Sequence, residues 1–525
     1  MQNINYVKTD VLVIGGGIAG LMAAIAARGT VPKVTIVSKG PVAKSGNTLV
    51  SGGWLSSATK EPGNSPEKFY EDVIASGKGL TLPKLARKLA SDSPMMLEIL
   101  EKNGVKLLKD KDSYIKSKMP GHSVPRSITT DYALNKFQNK GLGFTLPLLE
   151  RLKELNVPIY DGITIIKLIK EGRRIIGAWG VDRKKNLWCF QSGSTVLAAG
   201  GGGYLYGKTN NTSDITGDSY SLALDAGCSL IDMEQIQFYP SMMFKPFKAL
   251  ISNALFDEGA RLLNSSLEEF MWSYDPAGNM ATRDVMSRAV YSEITEGRGI
   301  GENVYIDCSP IEEQTLTGLH GSFYNFFQKK GINPKHDLIL ITSCVHFYLG
   351  GIRIDEKCRT GVSGLYACGE ASGGVHGCNR LAGNAIMEAC VFGWEAGQTA
   401  AQEVQHLNVE PVVPGFSAAE EDQKQLIRQL REEMWKKVAI IRNEENLNNM
   451  LKTIRDCRNM ISAGSSSNSL AVENMFKVAE AITLSALARK ESRGAHFRED
   501  YPHQFSEYAG NIECFEQDGE IKVMS

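Results

Sequence analysis

The stretch DVLVIGGGIAGLMAAIAAR (10–28) constrains the fold of this 525-residue chain more than any other. An apolar, strand-like run breaks at Gly15-x-Gly17-x-x-Gly20 and passes straight into an alanine-rich helical run. Gly15 permits a tight turn, Gly17 lets the main chain approach a diphosphate, and Gly20 lets helix and strand pack closely. The diphosphate then sits at the helix N-terminus, where unpaired N–H groups favour an anion. A second strand, VTIVSK (34–39), follows and predicts an α/β fold with a Rossmann-like nucleotide-binding domain. Where an acid often meets the ribose, this strand ends in Ser38, followed by Lys39, so a hydroxyl is the expected adenosine contact.

The theme returns downstream. STVLAAGGGGYLYG (194–207) is a strand that breaks after Ala199 into four glycines starting at Gly200, and TGDSYSLALDAG (216–227) restarts a helix with Asp218 near its N-terminus. GLYACGEASGGVHGCNRLAGNAIMEACVFG (364–393) places Glu370 after a further strand and opens a helix near Gly383 and Asn384. One chain returning three times to such turns predicts a single extended cofactor, and FAD fits that length better than a nicotinamide.

Length predicts two or three domains. With 58 basic and 59 acidic residues, no bulk attraction to nucleic acid or to an anionic membrane surface is expected. No apolar run reaches membrane-span length, and MQNINYVKTD lacks the basic and apolar regions of a leader, so a cytoplasmic protein with no membrane span is expected. Ten scattered cysteines with no C-x-x-C pair predict buried thiols rather than a disulfide framework, a cluster or a metal site.

Taken in order, DVLVIGGGIAGL, SGNTLVSGG, LAAGGGGYLY, TGDSYSLALDAG, QFYPS, DEGARLLN, TRDVMSRAV, HFYLGGIRID, GCNRLAGNA and ESRGAHFREDYP resemble the flavoprotein family of succinate dehydrogenase, fumarate reductase and L-aspartate oxidase. The resemblance runs to about residue 505. It implies an FAD-binding domain over 1–232 and 350–405, interrupted by an α+β capping domain over 233–349. A C-terminal helical domain over 415–505 follows the linker LNVEPVVPGF (407–416), and its Leu426, Leu430, Met434 and Val438 read as a packing stripe. Residues 506–525 lack helical periodicity and read as a short hairpin or as an arm reaching a neighbour.

The resemblance adds Ser45, Asn47, Thr48 and Gly53 of SGNTLVSGG, and Arg380, to the glycine turns, Ser38, Lys39, Ala199, Asp218, Glu370 and Asn384 as expected cofactor contacts. Covalent members carry Ser-His-Thr where this chain has Ser45-Gly46-Asn47-Thr48, so its FAD is expected to be non-covalent, which leans toward reduction or oxidase chemistry.

His346 and Arg380 match the residues that hold a substrate carboxylate and polarise the conjugated double bond; an arginine fork suits a carboxylate. Considered alone, His346 reads as a core histidine. Arg283 matches the proton-donating arginine, although by itself it reads as a solvent residue at a helix start. The family relays protons to that arginine through a glutamate and an arginine in a TEGCRGEG-like segment; here the same positions read Ser252, Asn253 and Phe256, so two titratable links are missing. Asp257, Glu258 or a water chain is expected to substitute, with Glu258 in the motif's second acid position.

Tyr239 stands where fumarate reductases have the histidine that, with a threonine matched here by Ser252, binds the second carboxylate. One anchor is intact and the other altered, which points to an enoate whose far end is a ring, amide or thioester. A dicarboxylate hydrogen-bonded by Tyr239 stays open. So does an L-aspartate oxidase-like activity, although Met119 of KMPGHSVPR replaces the glutamate that contacts the amine; His122 is expected to line the pocket. Two further alternatives are a catalytic subunit of an iron–sulfur electron-transfer complex and a flavin-binding scaffold without activity.

Overall fold

The protein is seen in a computed structural model that describes residues 4–59, 63–131, 139–405, 411–412, 423–461 and 467–524. Most of the expected linker, and the expected start of the helical domain at 415, lie outside the described residues.

Strand β1 (Ile4–Ile14) is buried from Thr9 onward and leads through the glycine turn into helix α1 (Ile18–Arg28) and strand β2 (Val34–Ser38). Strands β3 (Ile159–Asp161), β4 (Ile163–Glu171), β5 (Arg174–Asp182) and β6 (Leu187–Leu197) complete most of this sheet, in the order β3-β2-β1-β6-β5-β4. The long strand β6 forks: Leu187–Gln191 pair antiparallel with β5, while Thr195–Leu197 pair parallel with Leu365–Ala367. The carboxyl ends of β1, β2, β6 and Leu365–Ala367 therefore lie along one edge, where open α/β sheets bind ligands.

Between β6 and Leu365 the chain forms helix α2 (Asp218–Ala226) and then a second, five-stranded sheet. In that sheet β7 (Ile236–Met243) and β8 (Ile339–Tyr348) are antiparallel neighbours, with Tyr239 opposite Cys344, and helix α3 (Arg283–Thr295) packs across them. Its hydrophobic core, including Leu255, Phe256, Met286, Ile306 and Phe327, is separate from the main one. A Rossmann-like domain is thus interrupted by an α+β capping domain, as expected.

Helix α4 (Asn384–Gln402) returns to the first domain and packs on α1. A Cβ at Gly393 or Gly397 would lie 2.5 or 2.1 Å from the carbonyl oxygens of Ala19 and Ala23, so only glycine permits this approach. Helices α5 (Lys424–Lys437), α6 (Glu444–Met460) and α7 (Ser467–Ala488) follow. Leu430, Met434 and Val438 are buried in the main core and Leu426 packs at its margin, which makes the stripe a packing surface. The tail is a hairpin, Glu513–Gln517 against Glu520–Met524, that extends the small sheet of Leu230–Ile231 and Gly351–Ile352.

Buried charge ties this C-terminal segment down. Arg489 has no exposed side-chain surface and pairs with Glu234 at 2.6 Å, Glu491 at 3.1 Å and Asp232 at 3.2 Å. All ten cysteines are buried free thiols. Among the described residues no helix is long and apolar enough to cross a membrane, and no cluster of three or more His, Cys, Asp or Glu side chains is placed to hold a metal.

Candidate active site

A cavity of about 740 Å³ opens at the carboxyl edge of the main sheet and runs under the capping domain. Its sheet-side wall includes Gly15, Gly17, Ser38, Lys39, Ser45, Asn47, Thr48, Gly53, Ala199, Gly200, Asp218 and Glu370, with Ile163 and Ile165 adding an apolar flank. Gly15 has φ +125°, and a Cβ there would lie 2.2 Å from the carbonyl oxygen of Ala198, so β1 and β6 come together only through glycine. Gly17 caps α1, and the next amide, Ile18 N–H, donates to Thr48 Oγ1 at 3.2 Å. Lys39 pairs with Asp218 at 2.8 Å and donates to Thr216 Oγ1 at 2.6 Å.

Two expected cofactor contacts are placed differently. Gly20 lies outside the wall: a Cβ on it would stand 2.0 Å from the Gly15 carbonyl, so it packs α1 onto the turn. Asn384 is buried between wall residues Gly383 and Ala385, and neither polar atom of its carboxamide has a partner among the described residues. A glycine cradle, an anion-favouring helix start and an orphaned carboxamide fit a long dinucleotide such as FAD.

From this wall a hydrogen-bonded chain crosses to the capping domain. Asn47 Nδ2 donates to Glu370 Oε2 at 2.9 Å and to Asn211 Oδ1 at 2.7 Å. Asn211 Nδ2 donates to Asn210 Oδ1 at 3.1 Å and to the His346 carbonyl at 2.9 Å, and Asn210 Nδ2 lies 2.9 Å from His346 Nδ1. Burial raises the Glu370 carboxyl to about 7, against the lowering effect of its Asn47 and Tyr348 N–H donors. Burial also holds the His346 ring well below the usual imidazole range, and the Arg380 and Arg283 guanidiniums push it the same way.

Tyr239, Ser252, Arg283, His346 and Arg380 all line the cavity. Arg380 is gripped by a residue the sequence did not single out: Gln237 Oε1 accepts from its Nη2 at 2.8 Å, while Gln237 Nε2 donates to the Arg380 carbonyl at 3.1 Å. The Arg380 guanidinium also lies over the Phe347 ring at 4.5 Å. Burial, then repulsion from Arg283, lowers Arg380 to about 9. Neither arginine has a carboxylate partner among the described residues. An anion is the ligand such a site favours.

The far end of the cavity differs from expectation. The Tyr239 hydroxyl donates to the Ile251 carbonyl at 3.1 Å and accepts from Asn253 N–H at 3.2 Å. Its proton is committed to the main chain, because residues 251–253 fold back onto β7, which leaves the phenol no free hydrogen for the dicarboxylate contact that the sequence left open. Its ring instead sits between Arg283, at 4.9 Å, and His346, at 5.1 Å. Met242 and Leu250, opposite one another across two strands, continue an apolar wall, with Lys248 exposed at the rim.

Glu258, one of the three candidates for the relay, is exposed and outside the wall, because the short helix Ala254–Asp257 ends by turning it outward. His122 is also outside the wall; it is buried against Ser56 Oγ at 3.3 Å and the Ala382 carbonyl at 2.8 Å, and burial lowers it to about 4. Met119 takes the position in the wall. Asn210, Asn211 and Gln237 were not foreseen; their only mark in the sequence is TNN (209–211) and the alternation preceding Tyr239.

Residues 10–386 match the family model described as FAD binding domain, and residues 427–520 match that of the fumarate reductase flavoprotein C-terminus. A CoM/CoB fumarate reductase subunit from Methanothermobacter marburgensis is 35% identical, with 96% of each chain covered. L-aspartate oxidase of Yersinia pestis is 30% identical over 96% of this chain and 98% of its own. Among solved structures, Mycobacterium smegmatis Sdh1 in complex with UQ1 superposes with a TM-score of 0.86 at 29% identity, covering 99% of this chain and 94% of that one. The chain is an FAD-dependent oxidoreductase that belongs to the succinate dehydrogenase and fumarate reductase flavoprotein family.

Proposed function

We propose that the protein reduces, or in reverse forms, a C=C bond conjugated to a carboxylate. The observation that carries this is the convergence of Arg283, Arg380 and a neutral His346 on one end of the cavity, where neither arginine is ion-paired with a carboxylate among the described residues. Arg380 and His346 hold the carboxylate, and drawing charge onto it makes the β carbon electron-poor. When bound, FAD supplies or accepts the hydride equivalent. Arg283 delivers the proton to the α carbon as negative charge develops there, and is reprotonated at once, because a free guanidinium holds its proton to a pKa above about 12. Asn253 and Phe256 carry no titratable proton, so water entering at the exposed rim of Ser252 and Lys248 is the reprotonation route.

The apolar distal wall of Tyr239, Met242 and Leu250 supports an enoate whose far end is a ring, amide or thioester over one with a second carboxylate. FAD is held non-covalently, since Gly46 lines the cavity and His346 is the only histidine among the described lining residues. The similarity to L-aspartate oxidase favours an oxidase as the second reading; Met119 in the wall, where the amine contact is expected, weighs against it. Similarity to a chain that is named as one subunit of an enzyme supports a partner subunit, and an iron–sulfur electron-transfer subunit is the partner proposed. Ten buried free thiols suit the reducing cytoplasm. Domain limits at 232/233, 349/350, 405, 415 and 505/506 are part of the proposal, and β7 starting at 236 and β8 ending at 348 support the first two.

The test is a titration of the oxidised, FAD-loaded protein with saturated mono- and dicarboxylates, followed in the visible flavin band. Binding should weaken about 10- to 100-fold in Arg380→Ala at unchanged flavin content. No spectral response to any carboxylate in the unmodified protein would remove the proposal.

A further inference from the structure

We infer that Asn210 is a positioning residue that holds the His346 ring as its Nε2–H tautomer, leaving a donor rather than a lone pair for the ligand. This rests on the proposal that His346 meets a carboxylate. The orientation follows from one atom that has no choice: the His346 carbonyl can only accept. Asn211 Nδ2 lies 2.9 Å from it, which fixes the Asn211 carboxamide. The same nitrogen is 3.1 Å from Asn210 Oδ1, so Asn210 must present its oxygen to Asn211 and its nitrogen to His346. A carboxamide nitrogen only donates, and this one is 2.9 Å from Nδ1. Nδ1 therefore accepts, and a neutral ring carries its proton on Nε2.

The other end of the chain agrees. Asn211 Oδ1 is an acceptor for Asn47, whose Nδ2 also reaches Glu370. Flipping Asn210 alone would set two N–H groups of Asn210 and Asn211 against each other and two bare acceptors, Oδ1 and Nδ1, against each other unless Nδ1 gained a proton. The charged groups facing the ring are the Arg283 and Arg380 guanidiniums, which disfavour an imidazolium, and the neutral Tyr239 ring beside it offers no carboxylate to offset them. A carboxylate in place of Asn210 would do the opposite, drawing a proton to Nδ1 and either stripping Nε2 or charging the ring. An amide donor behind the histidine is thus suited to a ring that donates to an anion without becoming a general acid.

The test is 15N NMR of FAD-loaded protein labelled at histidine, with His346→Gln assigning the resonances. Nδ1 should appear unprotonated and Nε2 protonated from pH 6 to 8. In the near-isosteric Asn210→Asp, Nδ1 should become protonated and a saturated carboxylate should bind about tenfold more weakly or worse at pH 8, with flavin content unchanged. A protonated Nδ1 in the unmodified protein, or an unchanged tautomer in Asn210→Asp, would overturn the inference. If the tautomer is as inferred but no carboxylate shifts the His346 resonances, Asn210 keeps its role and the proposed substrate class falls instead.

Discussion

The guanidinium of Arg283 lies over the aromatic ring of Tyr239, with Cζ 4.9 Å from the ring centroid. The ring face gives a cation that has no carboxylate partner among the described residues a fixed place at the cavity wall, without quenching its charge. The tyrosine hydroxyl, meanwhile, is held by residues 251–253. The residue that stands at the position of the family's substrate-binding histidine has become a support for Arg283, the proposed proton donor.

Arg283→Ala should lower turnover by about 10²- to 10⁴-fold, the usual contribution of a positioned acid. Flavin content and carboxylate affinity should change little. Single-turnover rates beside a binding titration separate the two effects, and substantial remaining turnover would remove Arg283 as the donor.

Tyr239→Phe keeps the ring and deletes the hydroxyl. The Asn253 amide loses its partner and the Ile251 carbonyl keeps only Ser241 Oγ, so stability should drop by about 1–3 kcal/mol while the order of preference among enoates stays the same. Denaturant unfolding and a substrate panel check this; a reordered panel would return the hydroxyl to ligand recognition.

Carboxylate binding should depend on pH through Arg380. Its charged form is the one that binds, and burial beside Arg283 brings its deprotonation down to about 9. Affinity should therefore be level from pH 6 to 8 and fall about tenfold per unit above the free-protein value, as a proton must be taken up on binding. Dissociation constants that stay flat to pH 10.5 would contradict this.

Arg489→Met leaves Asp232, Glu234 and Glu491 buried without their shared cation. Loss of one partner from a buried ion network typically costs about 3–5 kcal/mol. Unfolding should register that loss, while turnover per folded molecule stays unchanged because none of these residues lines the cavity.

What could be seen in the sequence is what the backbone demands of residue type. Gly15 is marked because its φ and its approach to Ala198 exclude a side chain, and the hairpin tail is marked by alternation around Asp518-Gly519. Arg283, Arg380 and His346 were legible only through motifs, and they do meet at one cavity. The partnership of Asn210 with His346 spans 136 residues and depends on a loop laid against β8, so no local pattern announces it. The commitment of the Tyr239 hydroxyl and the outward position of Glu258 were not legible for a related reason: whether a side chain faces a ligand, the main chain or solvent is set by how residues 251–259 fold beside β7.

The central claim is an enoate held by Arg380 and a neutral His346, with Arg283 beside it, for transfer of hydride and proton. It is tested most directly without oxygen, by reducing the bound flavin with dithionite and following reoxidation at its visible band. Fumarate, urocanate, cinnamate-type acids and iminoaspartate are added in turn. Rapid reoxidation by an enoate with a ring or other uncharged far end, faster than by fumarate, is the predicted result. Reoxidation by oxygen alone, with every enoate silent, would contradict the account.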